Sequence, residues 1–365
     1  MMAKLRVRRL CLALVLLAAL SVSACRPRSL PKVLKIGLGA PFEGRYRAVG
    51  YDAIYAARLA VREINESGRL LGYRFALVAY DDRADPAMAR ANADALTMDP
   101  SVIAVIGHYR QQTTEAAGTI YVDAGMPVIV VGGWLTPTES GVLHLAPRPG
   151  RLGDAVLRDA SEASPGAVGL FGGGPLWTHL SHRSEDGMPS VTVPVSGGGG
   201  FPVTDSVIAL TDPYETAEAL QSWRLAGWDG SLFGTTDLAA SSFWQIADSH
   251  AIGVQFVTPY PRPQDLADTT AWIEAYRDVG PHVSDPSTYA LPTYEAVYAL
   301  AESVEVAIAR GISPGREGMM AVLPQISRHG WLGTLTWNPQ GYWADMPLYH
   351  YAWEPQGPRL LDREP

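Results

Sequence analysis

From residue 33 onward the chain alternates short β-rich apolar runs with longer stretches whose apolar residues recur at helical spacing. The first run, 33–38, is closed by Gly39, Pro41 and Gly44. Ile54, Ala57, Val61 and Ile64 then share one face, which predicts a helix over 53–64 that Gly68 stops. A strand over 74–80 ends at Asp81-Asp82. A helix over 86–98 follows, with Asp85 as N-cap and Pro86 at its first position. A strand over 102–106, a helix over 114–124 and a strand over 128–131 complete this unit. Such alternation predicts a parallel sheet with helices on both faces.

The pattern restarts after Pro147-Arg148-Pro149-Gly150. A helix over 152–162 leads to strands over 167–171, 191–195, 207–210, 232–234 and 253–257, with helices over 214–226 and 238–249 among them. A Pro-rich crossing, 258–263, precedes helices over 266–278, 293–309 and 315–327. The tail reads as two antiparallel strands, 333–337 and 348–353, around a turn at Asn338-Pro339-Gln340-Gly341. This is an α/β chain of two lobes joined by several crossings: 33–147 plus 262–328 as lobe 1, and 148–261 plus 329–365 as lobe 2. Such a hinged clamp takes its ligand between the lobes. Lobe 2 reads as reduced. Only 19 residues, rich in Gly, Pro and His, separate Phe171 from Val191, and 11 separate Val195 from Val207. Parallel neighbours need a crossover of about a dozen residues or more. The reading therefore has at least one covering helix lost or vestigial, with the bare sheet face covered by Trp177, Trp223 and Trp228 or by a partner protein.

Ahead of the lobes, Lys4, Arg6, Arg8 and Arg9 precede an apolar run over 10–20, followed by Val22-Ser23-Ala24-Cys25. A basic start, a short apolar stretch and small residues before a cleavage point make an export signal over 1–24. Ending at Cys25, it resembles the lipobox of bacterial lipoproteins. That resemblance implies an acylated Cys25, a tether over 25–32, and an extracytoplasmic protein anchored to a membrane. Cys11 leaves with the signal, so no internal disulfide forms in the mature chain. Removing 1–24 also takes four of 29 basic residues and none of 37 acidic ones, for a net charge near −12. That balance argues against nucleic acid as a partner.

Several stretches resemble the bacterial solute-binding proteins for leucine, isoleucine and valine. They include Leu34-Lys35-Ile36-Gly37 with Pro41 and Gly44, 60–68 ending Asn65-Glu66-Ser67-Gly68, and Tyr80-Asp81-Asp82 with Asp85-Pro86. Val105-Ile106-Gly107-His108 and Ile120-Tyr121-Val122-Asp123-Ala124-Gly125-Met126-Pro127 continue them. Sparser matches follow at Ala226-Gly227-Trp228, Thr293-Tyr294-Glu295-Ala296 and Gly333-Thr334-Leu335-Thr336-Trp337. The resemblance implies a type I periplasmic-binding fold with two Rossmann-like lobes. It also implies capture of a small polar solute, an amino acid, amide or amine, for an ATP-driven (ABC) permease in the membrane. A sensory or scaffolding lipoprotein that kept the fold without transport is the alternative.

By the same resemblance, lobe 1 grips the ligand through the loop after Gly107-His108 and the loop after Val131. Here those loops supply Tyr109, Arg110, Gln111 and Thr113, then Gly132, Gly133 and Trp134. Gln111 stands where a small hydroxyl residue is usual, and Trp134 stands in place of a Thr. Backbone N–H groups with Arg110, Gln111 or Thr113 suit an anion, while Trp134 argues against an ordinary α-amino acid. Lobe 2 offers Asp212, Thr236 and Asp237. Facing Trp134 and Tyr46, these carboxylates suit a cationic or amine-bearing ligand. Asp212 before Pro213 and Asp237 before Leu238 are equally placed to cap helices.

Other patterns carry no chemistry. Gly37-Leu38-Gly39 imitates a dinucleotide loop, but Phe42 takes the third glycine's place and Pro41 breaks the turn. His179 and His182, with Glu185 and Asp186, have metal-like spacing but read as a solvated loop. Gly197 to Gly200 reads as a loop rather than a phosphate cradle, and His108 as structural. No nucleophile elbow occurs, so the reading is of a non-enzyme that needs no cofactor or metal.

Overall fold

A computed structural model of the protein describes residues 30–135, 141–164, 166–183, 191–195 and 202–364. The expected export signal and Cys25 lie outside the described residues, as do Glu185, Asp186 and Gly197 to Gly200. Lobe 1 begins with β1 (Lys32–Ala40), α1 (Arg47–Ser67), β2 (Tyr73–Asp81), α2 (Pro86–Met98), β3 (Val102–Gly107), α3 (Gln111–Asp123), β4 (Val128–Val130) and β5 (Val142–His144). These strands form one parallel sheet in the order β2-β1-β3-β4-β5. Central β3 is buried along its whole length, as a strand covered on both faces must be. Helix α1 ends at Gly68, whose φ of 67° accommodates the left-handed turn. Asp85 caps α2 by accepting the N–H groups of Ala87 and Met88 at 2.7 and 3.0 Å.

Lobe 2 runs through α4 (Pro149–Ala163), β6 (Val168–Gly172), α5 (Pro175–Arg183), β7 (Val191–Val195), β8 (Ser206–Leu210), α6 (Pro213–Leu225), β9 (Ser231–Gly234), α7 (Ser241–Ala247) and β10 (Gln255–Thr258). The chain then returns to lobe 1 for α8 (Thr270–Arg277), α9 (Ala290–Ala309), α10 (Arg316–Val322) and the hairpin β11 (Arg328–Gly330) to β12 (Gly333–Leu335). It closes in lobe 2 with β13 (Leu348–Glu354) and β14 (Gly357–Glu364). The second sheet has the order β14-β13-β10-β9-β8-β6-β7, with β13 and β14 antiparallel.

Three sequence expectations change. Helix α5, nine residues long, covers the stretch after β6, so the helix expected there to be lost or vestigial is short but present and the face beside it is not bare. Gly172 and Gly174, at φ 107° and 95°, turn the chain into it, and Pro175 starts it. Leu176 and Leu180, one turn apart, bury against Leu152 and Val156. Trp223 and Trp228 pack instead around Phe171 in another cluster. His179 therefore sits on a helix rather than in a solvated loop, and its Nε2 lies 2.9 Å from Asp154. The connection from β7 to β8 runs through 196–201, outside the described residues.

The tail strands do not pair with each other. β12 pairs with β11, whereas β13 lies between β10 and β14. Leu332, Leu335, Trp337, Trp343 and Met346 are buried in the lobe 1 core, so the tail crosses to lobe 2 only near 346–348 rather than at 329. Finally, the helix expected over 238–249 is broken, because Ala240 is extended and Asp248 has φ 50°. Strand β5, three residues long, was not read from the sequence.

Three crossings thus join the lobes, and His144 ties two of them together. Its ring stacks on Tyr342 with centroids 4.7 Å apart, and Nε2 accepts the N–H of Leu135 at 3.0 Å. Burial favours the neutral imidazole and lowers its pKa to about 4.

Candidate ligand-binding cleft

A cavity of about 420 Å³ opens between the lobes. Lobe 1 contributes the two loops that follow β3 and β4, and lobe 2 contributes the ends of β6, β8 and β9. Ligands collect at such carboxyl ends of parallel strands because the loops there are free to vary on a rigid frame. A larger concavity, about 660 Å³, lies beside α4 and involves Arg158 and His179. Those two pair with Glu364 and Asp154, and the concavity does not draw on both cleft loops.

Arg110 and Asp237 meet inside the cleft. The Arg110 guanidinium donates from Nη1 to Asp237 Oδ1 at 2.5 Å and lies 4.4 Å from the centre of the Tyr46 ring. Its side chain is only 11% exposed. Burial works against the charge, but Asp237, Tyr46, Tyr289 and Asp212 outweigh it and hold the pKa above the ordinary arginine value. Asp237 is therefore no helix cap: its carboxylate is engaged by Arg110 across the lobes. Asp212 does cap, with Oδ1 accepting the N–H groups of Tyr214 and Glu215 at 2.8 and 3.0 Å. Each of the two carboxylates is thus engaged through one oxygen, Oδ1. Thr236 lines the cavity, and its hydroxyl lies 3.0 Å from that of Thr258.

Gln111 lines the cavity and also holds the second loop. Its side chain accepts the Trp134 N–H at 2.9 Å and donates to the Trp134 carbonyl at 3.0 Å, with Glu115 Oε1 orienting the amide at 2.6 Å. Gly132 and Gly133 permit this approach. A Cβ at Gly132 would overlap the Tyr109 carbonyl, and Gly133 has φ 84°. Trp134 spans from this loop to lobe 2, where it packs on the α4–α5 cluster while its Nε1–H donates to Pro147 O at 3.0 Å. Thr113 is fully buried and donates to the Arg110 carbonyl at 3.0 Å, so it shapes the loop without lining the cavity.

Of the residues named from sequence, Tyr109, Arg110, Gln111, Gly132, Gly133, Trp134, Asp212, Thr236 and Asp237 line the cavity. Tyr46 lies behind Arg110, edge-on to Tyr214 at 5.5 Å. His108, read as structural, is buried with Nδ1 2.5 Å from Asp82. Sequence reasoning missed Tyr260, Tyr289, Leu176 and Glu215. Tyr260 lies in the Pro-rich crossing, a signal that was read for the hinge alone. Its hydroxyl donates to Val131 O at 2.5 Å, and its ring lies 5.8 Å from that of Tyr289. No periodic signal marks Tyr289, which precedes α9.

The comparisons with known proteins agree with this architecture. The family model described as "Periplasmic binding protein" matches residues 33–184 and 203–358. An "Amino acid binding protein" of Pseudomonas aeruginosa is 33% identical over 116 residues, which span 32% of this chain and 31% of that one. The leucine-, isoleucine-, valine-, threonine- and alanine-binding protein of the same organism is 25% identical across 80% of this chain and 83% of its own. Among solved structures, the branched-chain amino acid transporter substrate-binding protein of Streptococcus pneumoniae superposes with a TM-score of 0.77. It is 19% identical, and the match covers 91% of this chain and 99% of that one. A match through both lobes, on a chain whose cleft is built from both, has one reading: the chain belongs to the periplasmic binding protein family.

Proposed function

We propose that the protein captures a small solute between its lobes outside the cytoplasm and presents the closed form to an ABC permease. The observation that carries this reading is the cavity between the lobes, where loops from both meet and only a small molecule fits. Anchoring through an acylated Cys25 completes it, keeping the protein beside its permease. The ligand contacts we assign are Tyr109, Arg110 and Trp134 from lobe 1, with Thr236 from lobe 2. Gly132 and Gly133 add backbone groups, and Gln111, Thr113, Tyr46, Asp212 and Asp237 hold these in place.

A thermal-shift screen of the soluble form beginning after Cys25 tests the reading. The panel holds amino acids, their 2-oxo acids, amides, ureas, polyamines and short peptides. A ligand at 100 times its dissociation constant stabilises by about 2.7 kcal/mol, enough to raise the melting temperature by several degrees. A hit abolished by Trp134→Ala locates the cleft. A flat response across the panel would count against solute capture.

A further inference from the structure

We propose that the cleft selects a monocarboxylate with an apolar body and no α-amino group. The inference rests on the solute-capture reading and assigns its substrate class.

The charges that line the cavity carry the argument. Three carboxylates face it, and each is already compensated or solvated. Asp237 is paired with Arg110, Asp212 accepts two N–H groups at the start of α6, and Glu215 lies exposed in the first turn of that helix. An α-ammonium entering the cleft would have to share Asp237 with the Arg110 guanidinium, whereas a carboxylate can take the guanidinium's remaining donors without disturbing that pair.

The cation is differently placed. A guanidinium has five N–H donors, and among the described residues Arg110 donates one hydrogen bond, to Asp237. Its planar fork is thus held by Asp237 on one side and by the Tyr46 face on another, with donors left for a carboxylate. Arg110 is also the N-cap residue of α3, whose first-turn N–H groups have no partner within the helix. These donors supplement the guanidinium. Around them stand Trp134, Tyr260, Tyr289 and Leu176, walls suited to an apolar or flat body. Asp212 and Glu215 on the facing wall disfavour a second negative charge, hence a monocarboxylate.

Calorimetric titration of the soluble form with two probes of one carbon skeleton tests this. Leucine carries an ammonium at its α-carbon, and 4-methyl-2-oxopentanoate carries a keto oxygen there. The expected result is that the oxo acid binds at least about tenfold more tightly than leucine, or about 1.4 kcal/mol. Arg110→Ala should reverse that preference, since it removes the carboxylate's partner and frees Asp237 for an ammonium. A reversal cannot come from misfolding, which weakens both ligands alike. Asp237→Asn, a gentler change, should keep the oxo acid bound. Leucine binding as tightly as the oxo acid, or more tightly, would overturn the proposal while leaving solute capture standing. Failure of both probes to bind would also overturn it, and if the wider panel is flat too, solute capture falls with it.

Discussion

Asp52, on α1, accepts the backbone N–H of Tyr289 at 2.7 Å, across 237 residues of sequence. The same carboxylate accepts the Ser287 N–H at 2.7 Å and the Tyr276 hydroxyl at 3.3 Å. One buried side chain therefore fixes the segment that carries Tyr289 into the cleft.

Burial raises the Asp52 pKa from 3.8 to about 6, only partly offset by the N–H groups of Ser287 and Tyr289 and by Tyr276. A folded pKa above the unfolded one means that folding favours the protonated acid. Its contribution is present in full below about pH 4 and is lost as pH rises through about 6, by on the order of 3 kcal/mol. Asp52→Asn cannot titrate. Urea denaturation between pH 4 and 8 should show a flatter decline of stability in that window for the variant. Parallel curves for the two proteins would contradict the assignment.

Gln111 and Trp134 make a second test of the cleft frame. Gln111→Ala removes both hydrogen bonds to the Trp134 backbone and is expected to destabilise the fold by about 1–3 kcal/mol. Glu115→Ala removes only the group that orients the amide, and should cost less than half as much. Equal losses in denaturation would mean that the loop is held elsewhere.

Much of this frame was legible from local chemistry. Asp85 before Pro86 and Asp212 before Pro213 both cap as their sequence positions foretell, because a cap bonds to residues only two or three positions away. Buried β3 reads as a strand for a similar reason, being a continuous apolar run. The features without a local signal depend on distant partners. Helix α5 rests on two leucines seated against α4, a signal too short for periodicity to register. β5 is three residues long, and its identity as a strand comes from its pairing with β4. Arg110 and Asp237 were each named as ligand residues, yet nothing in the sequence says that they bind each other 127 positions apart.

The hairpin's attachment to lobe 1 rests on a buried charge pair. Arg328 Nε donates to Glu295 Oε2 at 2.6 Å, with side-chain exposures of 10% and 2%. Glu295 also accepts the Trp331 N–H at 2.8 Å. Burial raises the Glu295 pKa, and Arg328 opposes that rise. Arg328→Met leaves the carboxylate buried without its cation and is expected to cost about 3–5 kcal/mol. Adding Glu295→Gln should recover part of that loss, because the remaining group is neutral. A double variant no more stable than the single one would mean that the loss comes from Glu302, whose carboxylate Arg328 Nη1 also meets.

At the mouth of the cleft, Tyr214 from lobe 2 sits against Arg45 and Tyr46 of lobe 1. Its hydroxyl donates to the Arg45 carbonyl, the Arg45 guanidinium lies 4.8 Å from its ring centre, and the Tyr46 ring lies edge-on at 5.5 Å. Together with Arg110–Asp237, these contacts exist only while the lobes are together, so removing them raises the free energy of the closed form alone. Tyr214→Ala deletes the ring and its hydroxyl. The ring contacts are worth about 0.5–1.5 kcal/mol, a change of several-fold in the ratio of closed to open protein. Small-angle X-ray scattering of the ligand-free protein should show a larger radius of gyration for Tyr214→Ala, and a further increase when Asp237→Ala is added. Tyr214→Phe keeps the ring contacts and should fall between wild type and Tyr214→Ala. An unchanged radius in the double variant would mean that the three crossings, rather than the cleft contacts, hold the lobes closed.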